Sequence, residues 1–173
     1  MTALRIERLL PPASPSDVRD LSRLLIQAVE AGAAVSFLPP LDPHDAEEWW
    51  RRTLAESHPR AIFLVARDAT AIVGTVQVQP AWAPNQAHRG EIVKLLVDPR
   101  AQRTGWGRGL MTAIEAEARA DGYRLLTLDT KRGDPAERLY RKLGWNELGM
   151  IPGYAMNPDG TRHDAVFFWK ELS

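Results

Sequence analysis

The residues whose types and spacing most clearly indicate a chemical role form a glycine-rich stretch, Gln102-Arg103-Thr104-Gly105-Trp106-Gly107-Arg108-Gly109. It follows an apolar run that ends at Val97 and precedes a helical pattern that starts at Leu110. The first turn of a helix has backbone N–H groups without intrahelical partners and the positive end of the helix dipole, so it can hold a phosphate. Glycine lets the backbone approach a ligand, and the two arginines add positive charge. This stretch therefore predicts a phosphate or pyrophosphate site.

Two common phosphate-binding motifs do not fit this stretch. A P-loop requires G-x-x-x-x-G-K-[ST], and this string occurs nowhere in the chain. A dinucleotide fingerprint requires G-x-G-x-x-G, but from Gly105 the last position is Leu110. Coenzyme A, whose pyrophosphate could lie on the same turn, is the ligand that remains.

Composition excludes several classes of protein. The chain has 173 residues, which favours a single domain over 1–173. Lys plus Arg and Asp plus Glu are 22 each, so no basic excess points to nucleic acid. The absence of cysteine excludes disulfides, thiolate zinc sites and a cysteine nucleophile. No apolar run approaches the ~20 residues of a membrane span, and no signal peptide is readable. We expect a cytoplasmic protein with no membrane or nucleic-acid partner.

Turn residues and hydrophobic periodicity predict the element order β-αα-βββ-α-β-α-ββ. Strands are expected at 3–9, 61–67, 71–79, 91–97, 123–129, 146–151 and 164–172. Helices are expected to start near Pro15, Pro43, Gly107 and Pro135, three of them behind the caps Ser14, Asp42 and Asp134. This order predicts a mixed α/β fold with helices on the faces of the sheet.

The stretch from Gln102 to Gly107 matches the [QR]-x-x-G-x-[GA] signature and resembles the GNAT superfamily of acyl-CoA-dependent N-acyltransferases. The preceding Lys94–Pro99 fits the same pattern. About 30 residues later, Ala136–Trp145 is similar to the family's A-x-x-L-Y-x-x-x-G-[FW] helix. The resemblance implies a GNAT-like, mostly antiparallel sheet flanked by helices, with acetyl-CoA as co-substrate.

The resemblance also implies which residues hold the coenzyme. They are residues 102–109, a backbone N–H near Leu96 and Val97 that polarises the thioester carbonyl, and Asp134 and Ala136 at the start of the second motif. The sequence departs from the family here, because Gly133-Asp134-Pro135 occupies a stretch that often holds an asparagine. A negative charge near the coenzyme phosphates brings no obvious benefit.

A narrower resemblance, to acetyltransferases of the tabtoxin-resistance type, rests on two groups of strings. These are Leu128-Asp129-Thr130 and, further on, Pro152-Gly153-Tyr154 with Asn157-Pro158-Asp159-Gly160. The resemblance is patchy between 47 and 87 and weak before 27. It implies an amino-acid-like, zwitterionic acceptor and supports a subfamily better than a shared substrate.

Attack of an amine on a thioester needs a neutral amine, a polarised carbonyl and a proton for the departing thiolate. Glu91 and Asp129 are the candidate bases, and in the tabtoxin-resistance-type pattern the matching carboxylates are proposed for that role. Either could instead only bind the acceptor ammonium, Glu91 could pair with Arg89, and Asp129 could be a cap or part of a surface ion pair. Tyr140 matches the family tyrosine that can protonate the sulfur, although it could also simply pack its helix on the sheet.

The acceptor side is expected to include Phe37 and Trp49, with Gly32–Leu38 around them. A tryptophan pair such as Trp49-Trp50 is also common in a core or an oligomer interface. The histidines show no metal-ligand spacing, so we expect surface positions and no metal (His44, His58, His88 and His163). The apolar string Val166–Trp169 could mediate a homodimer or could be buried in the core.

The sequence as a whole predicts an N-acetyltransferase that transfers the acetyl group of acetyl-CoA to the amine of a small molecule by direct attack. Two other classes stay open. One is a protein lysine or N-terminal acetyltransferase, whose acceptor groove should be open. The other is a coenzyme-A-binding module without catalytic activity, against which the presence of Glu91, Asp129 and Tyr140 argues.

Overall fold

The computed structural model describes residues 5–173, in which seven strands form one sheet in the order β1-β2-β3-β4-β5-β7-β6. The strands are β1 Arg5–Arg8, β2 Ile62–Arg67, β3 Ile72–Pro80, β4 Arg89–Val97, β5 Leu125–Lys131, β6 Asn146–Met156 and β7 Arg162–Glu171. The helices are α1 Pro15–Glu30, α2 Pro43–Ala55, α3 Trp106–Ala120 and α4 Pro135–Lys142. The predicted element order and the mixed α/β class are confirmed; positions 3 and 4 of the first predicted strand lie outside the described residues.

The helices begin where the capping residues predict. The Ser14 hydroxyl accepts a hydrogen bond from the Asp17 amide at 3.1 Å, and an Asp42 carboxylate oxygen accepts one from the His44 amide at 2.8 Å. At the start of α4 the Glu137 carboxylate accepts a hydrogen bond from the Gly133 amide at 2.6 Å, and Asp134 makes no side-chain cap. The prediction of an Asp134 cap is therefore wrong. None of the described helices combines the length and apolarity that a membrane crossing needs.

Two hydrophobic cores lie on opposite faces of the sheet. Helices α1 and α2 cover one face, where the largest buried side chain is Trp50. Helix α3 covers the other face with Leu110, Met111 and Ile114, and Tyr140 of α4 joins the same core. Both cores draw side chains from β4, which therefore occupies the centre of the molecule.

Strands β4 and β5 pair in parallel for only three residues, Arg89–Glu91 with Leu125–Thr127. The other neighbouring strands pair antiparallel. Beyond Thr127, β5 remains paired with β7, where Asp129 faces Phe167, but it no longer pairs with β4. The two central strands therefore diverge and leave a wedge between them.

Strand β4 also contains a bulge. Gln77 pairs with Val93 and Thr75 pairs with Leu96, so the single residue Val76 of β3 lies opposite both Lys94 and Leu95. Lys94 has a φ of 55°, in the left-handed region that non-glycine residues rarely adopt. The bulge lies directly beside the wedge.

Several strand boundaries differ from the predictions, and three of the differences bear on the site. Strand β4 starts two residues earlier and β5 ends two residues later than expected, because pairing with β5 and β7 extends them. Glu91 and Asp129 are therefore inside their strands and not at the ends. Strand β6 continues past Pro152 and Gly153 to Met156. Its pairing with β7 shifts register between Ile151 and Ala155, so these two residues do not end the strand.

The apolar string in β7 divides between core and surface. Val166 and Phe168 are buried, while Trp169 keeps 36% of its surface exposed. Strand β6 lies at the edge of the sheet and exposes Leu148 and Met156. Burial in the core thus explains two of the four apolar residues of Val166–Trp169, namely Val166 and Phe168. The homodimer stays a prediction.

Asp98 anchors the turn that follows β4. Its side chain is 1% exposed and accepts hydrogen bonds from Arg23 of α1 at 2.6 Å and from the Arg100 guanidinium at 2.9 Å. Its own amide donates to the Val73 carbonyl of β3 at 2.8 Å. The hydrogen bonds from Arg100 are the main reason that the pKa of this carboxyl lies far below its usual range. Asp98 therefore fixes the start of the glycine-rich stretch to α1 and β3.

We expect Asp98→Asn to destabilise the fold by about 2–3 kcal/mol, because a buried carboxylate that accepts charged hydrogen bonds is lost. Urea unfolding measures this change. Asp45→Asn, in the exposed first turn of α2, is the control and should change the free energy of unfolding by less than about 1 kcal/mol. Equal effects of the two substitutions would contradict the anchoring role.

Candidate active site

The glycine-rich stretch ends in a helix start with free backbone donors. Gly105 has a φ of 96° and precedes Trp106, the first residue of α3. The Gly109 amide is the first to donate within the helix, to the Gly105 carbonyl at 2.9 Å. The preceding amides, those of Trp106, Gly107 and Arg108, have no intrahelical acceptor and can receive an anionic ligand.

Two polar side chains of the stretch shape the turn itself. The Gln102 amide donates to the Val97 carbonyl at 3.3 Å, and the Thr104 hydroxyl donates to the Ala101 carbonyl at 2.6 Å. Arg103 and Arg108 are exposed and form no ion pair among residues 5–173. These arginines are therefore available to a phosphate, whereas Gln102 and Thr104 hold the turn in place.

The glycines have different roles. A Cβ at Gly107 would lie 3.4 Å from Leu139 of α4, and one at Gly109 would lie 3.2 Å from Ile6 of β1. A Cβ at Gly105 would meet no atom within 4 Å. Only Gly105 thus faces open space, while Gly107 and Gly109 allow close packing. The Gly109 amide already donates within α3, and the Trp106 side chain is buried in the core. Coenzyme contacts at these two positions stay predictions.

A slot of 210 Å³ fills the wedge between β4 and β5. Its lining includes Leu95, Asp129, Asp134, Ala136 and Tyr140. The slot is therefore walled by the bulged strand on one side and by β5 and α4 on the other.

The backbone of β4 offers a donor to the slot. The Asp98 amide donates to β3, and successive amides of a strand point to opposite sides, so the Val97 amide points toward the side of β5. By the same alternation the Leu96 amide points to β3, and the Leu96 side chain is buried in the α1–α2 core. Of the two predicted positions, Val97 is the one that can polarise a carbonyl oxygen in the slot.

Tyr140 reaches the slot from the core. The ring packs against Trp145 and Phe168, with centroid distances of 6.1 Å and 5.9 Å. Burial is the main cause that raises the pKa of Tyr140 above its usual value, and the negative charges of Asp129 and Asp134 add to it. The phenol therefore keeps its proton at neutral pH and acts as a hydrogen-bond donor.

A larger cavity of 540 Å³ lies beside the slot on the α1–α2 side of the sheet. Glu91 and Asp129 both line it, and Asp129 lines the slot as well. Glu91 pairs with Thr127, so their side chains share a face, and Asp129 lies two residues further on that face of β5. The expectation that one pocket contains both carboxylates therefore has a geometric basis in strand register.

The surroundings raise the pKa of both carboxyls. Partial desolvation is the largest cause for each, although both side chains remain open to the cavity. The charge of Asp129 raises the pKa of Glu91 further, while Arg89 and Lys94 lower it. Arg89 donates to Gln86 and Thr127 and forms no ion pair with Glu91. The alternative in which Glu91 forms an ion pair with Arg89 is therefore not what the structure shows.

Residues 31–42, called here the roof loop, connect α1 to α2 and cover the larger cavity. Phe37 lines the cavity as predicted, but Trp49 does not. Trp49 packs edge-on against Phe37 at a centroid distance of 5.3 Å, and Trp50 is fully buried. Trp50 belongs to the core, whereas Trp49 supports the roof loop and lines smaller pockets outside the larger cavity. An acceptor contact of Trp49 therefore stays a prediction.

Sequence reasoning missed two residues of the site. His163 of β7, expected at the surface, lines the larger cavity, and its Nδ1 lies 3.1 Å from the Asn157 side-chain oxygen. That oxygen also accepts a hydrogen bond from Lys131 at 2.8 Å. Lys94 lines the slot and contacts the roof loop. No local pattern marks His163, whereas the position of Lys94 before the glycine-rich stretch was an available signal.

One exposed group brings possible metal ligands together. Asp42, His44 and Asp45 offer ligand atoms within 4.8 Å of one another. Asp42 already serves as the cap of α2, and such acidic groups are frequent at helix starts. The expectation that the protein needs no metal stays a prediction.

The fold and the helix start beside the wedge define an acetyltransferase of the GNAT type, and the family comparison agrees. The profile of the acetyltransferase (GNAT) family matches residues 25–145. An uncharacterized N-acetyltransferase of Azospirillum brasilense, from the hisH-hisA intergenic region, is 34% identical over 141 residues, which are 79% of this chain and 82% of the relative. The chain belongs to the GNAT acetyltransferase family and is an acyltransferase.

Two further relatives extend the comparison. A ribosomal protein bS18-alanine N-acetyltransferase of Haemophilus ducreyi is 33% identical over 76 residues, 43% of this chain and 52% of that protein. An acetyltransferase-type structure from Salmonella typhimurium, solved with its cofactor acetyl-CoA, has a TM-score of 0.79 and 21% identity over 99% of this chain and 95% of that chain. GNAT acetyltransferases use acetyl-CoA, and the free amides and arginines described above fit its pyrophosphate.

We expect Gly105→Val to weaken coenzyme A binding about tenfold or more, because the side chain would enter the space in front of the free amides. Isothermal calorimetry measures this loss. Gly122→Val is the matched control: Gly122 also has a positive φ, 89°, with no atom within 4 Å, but lies at the other end of α3. If both variants lost coenzyme affinity equally, backbone strain and not the site would be the cause.

Tyr140→Phe should lower kcat by about 10²-fold and leave coenzyme affinity nearly unchanged, because only the hydroxyl donor is removed. Steady-state turnover and calorimetry give the two quantities. Wild-type turnover in a folded variant would reduce Tyr140 to a packing residue.

Proposed function

We propose that the protein transfers the acetyl group of acetyl-CoA to the amine of a small, amino-acid-like acceptor bound in the larger cavity. The observation that supports this most is that Glu91 and Asp129 share a cavity of 540 Å³, a size typical of sites for small ligands. Asp129 also lines the slot, so an amine beside it faces the place where a thioester would enter.

The residues divide the chemistry among them. The amides of α3 with Arg103 and Arg108 hold the pyrophosphate, and the Val97 amide polarises the thioester carbonyl. The acceptor nitrogen forms the new bond to the carbonyl carbon as the carbon–sulfur bond breaks. Glu91 or Asp129 takes the proton from the acceptor nitrogen, and Tyr140 protonates the departing sulfur, so that coenzyme A leaves as the thiol.

Raised pKa values suit the carboxylates to this task. A carboxylate with an ordinary pKa is a weak base toward an ammonium, and partial desolvation strengthens it. Both carboxylates also attract the positively charged form of the acceptor into the cavity. One group can therefore bind the ammonium while the other accepts its proton.

The support for the acceptor class comes from the sequence and from the cavity lining. The strings shared with tabtoxin-resistance-type acetyltransferases favour an amino-acid-like molecule. Two of these strings contribute Asp129 and Tyr154 to the cavity lining. The second candidate is a protein N-terminus, which the name of the Haemophilus ducreyi relative favours, and for which the cavity would need to admit an extended chain.

A turnover screen tests the proposal. Acetyl-CoA is supplied with free amino acids, amino-acid analogues, polyamines and peptides with free N-termini, and thiol release is measured. We expect the highest kcat/KM among amino-acid-like molecules. Turnover confined to peptides would favour the second candidate, and no turnover with any small amine would contradict the proposal.

The carboxylates provide a matched test in the same assay. Asp129→Asn should lower kcat by about 10²–10⁴-fold, and the wild-type kcat/KM should fall as the pH drops through the raised carboxyl pKa values, because the base must be ionised. At neutral pH the melting temperature of Asp129→Asn should equal or exceed that of the wild type, since an ionised, partly desolvated group is removed. This gain should vanish at pH values below the pKa. A variant that is inactive because it is unfolded would melt earlier.

A further inference from the structure

The bulge in β4 turns the Lys94 side chain toward the acceptor side of the sheet. In a regular strand, Lys94 would point away from the face of Glu91 and Val93. Beyond the bulge, Leu95 packs with the α3 core and Leu96 with the α1–α2 core. Two consecutive side chains, those of Val93 and Lys94, therefore share one face, which is the change of direction that a bulge produces.

The ammonium of Lys94 has its direct contacts with the roof loop and with α2. It lies 3.2 Å from the Ser36 hydroxyl, 5.9 Å from the Phe37 ring centroid and 5.5 Å from the Trp49 ring centroid. Both rings are within reach of a cation–π interaction. Ser36 itself has a φ of 73°, so the side chains of two residues with left-handed backbones meet at this contact.

We propose that Lys94 is a positioning residue: from the β4 bulge its ammonium fixes the roof loop over the larger cavity and places a positive charge beside Glu91 and Asp129. Left-handed backbone at a lysine is unfavourable and persists only where surrounding contacts determine it. The contacts with Ser36, Phe37 and Trp49 are such contacts. The charge placement rests on the slot that Lys94 and Asp129 both line and on the face of β4 that Lys94 shares with Val93 and Glu91. Its value for catalysis rests on the function proposed above.

The electrostatic consequence follows from the neighbours of the two carboxylates. The charge of Lys94 lowers the pKa of both carboxyls, against the desolvation that raises them. Lys94 forms no direct ion pair with either group within residues 5–173, so it acts through space and leaves the carboxylates free for an acceptor. The other titratable groups that face this cluster are Arg89, His163, Tyr140, Asp134 and, from the end of α2, Glu56 and His58.

The effect of the Lys94 charge on the two carboxyls can be tested by a titration that needs no acceptor. Carbon-13 NMR follows the Glu91 and Asp129 carboxyls in the wild type, Lys94→Met and Lys94→Arg, with Lys142→Met as the control that removes the same charge from the exposed end of α4. We expect Lys94→Met to raise at least one carboxyl midpoint by about one pH unit. Lys94→Arg and Lys142→Met should leave both midpoints within about 0.3 unit. Unchanged midpoints in Lys94→Met, or an equal shift in Lys142→Met, would overturn the proposal.

Hydrogen exchange of the roof loop tests the other part of the proposal, that Lys94 fixes this loop. We expect the amides of residues 32–38 to exchange faster in Lys94→Met and in Ser36→Ala, with the wild-type rates restored in Lys94→Arg. With an acceptor from the screen, the acid limb of kcat/KM should move to higher pH in Lys94→Met, in step with the NMR midpoints. If the amides of residues 32–38 exchanged at wild-type rates in Lys94→Met, the proposal that Lys94 fixes the roof loop would be refuted. A wild type without turnover would refute the proposed function and leave the titration result valid.

Discussion

The short pairing between β4 and β5 is the constraint on which the site depends. Three residue pairs hold these central strands together, and beyond them β5 follows β7 while β4 follows β3. The resulting wedge interrupts the centre of the sheet, where backbone groups would otherwise be paired. The same divergence produces the slot, directs the Val97 amide into it, and places Glu91 and Asp129 at its entrance. A sheet paired along its full length would have no slot for a thioester beside Asp129.

Positive and negative charges around this wedge balance each other only in part. The charge of Asp129 raises the pKa of Glu91, and both carboxylates lose part of their hydration. This arrangement reduces stability at neutral pH and strengthens the carboxylates as bases. Elsewhere the chain pairs its buried carboxylates closely, as Asp98 does with Arg23 and Arg100. The contrast between Asp98 and Asp129 separates a carboxylate that anchors structure from carboxylates left free for a ligand.

The sequence predicted the coenzyme half of the site far better than the acceptor half. The glycine-rich stretch is contiguous, and its function follows from a helix start that local residues determine. The acceptor half combines the roof loop, β4, β5 and β7, which only tertiary packing brings together. Alternation along β4 would place Lys94 on the wrong face, because the bulge arises from pairing with β3 and leaves no local signal. The position of Trp49 behind Phe37 was not predictable for a related reason, since aromatic type alone does not distinguish a ligand contact from support of a loop.

The two halves also use different chain segments, and this separates their tasks. The coenzyme turn is built by residues 98–109 and is anchored to α1 and β3 through Asp98. The acceptor cavity takes most of its lining from residues 29–38 and 154–163, with Glu91, Val93 and Asp129 as the contribution of the central strands. Changes in the roof loop or in β6 and β7 can therefore alter which amine fits without moving the helix start that holds the pyrophosphate. The carboxylates and the bulge, being held by the central strands, would stay in place across such changes, so the reaction is more firmly determined by this fold than the identity of the acceptor.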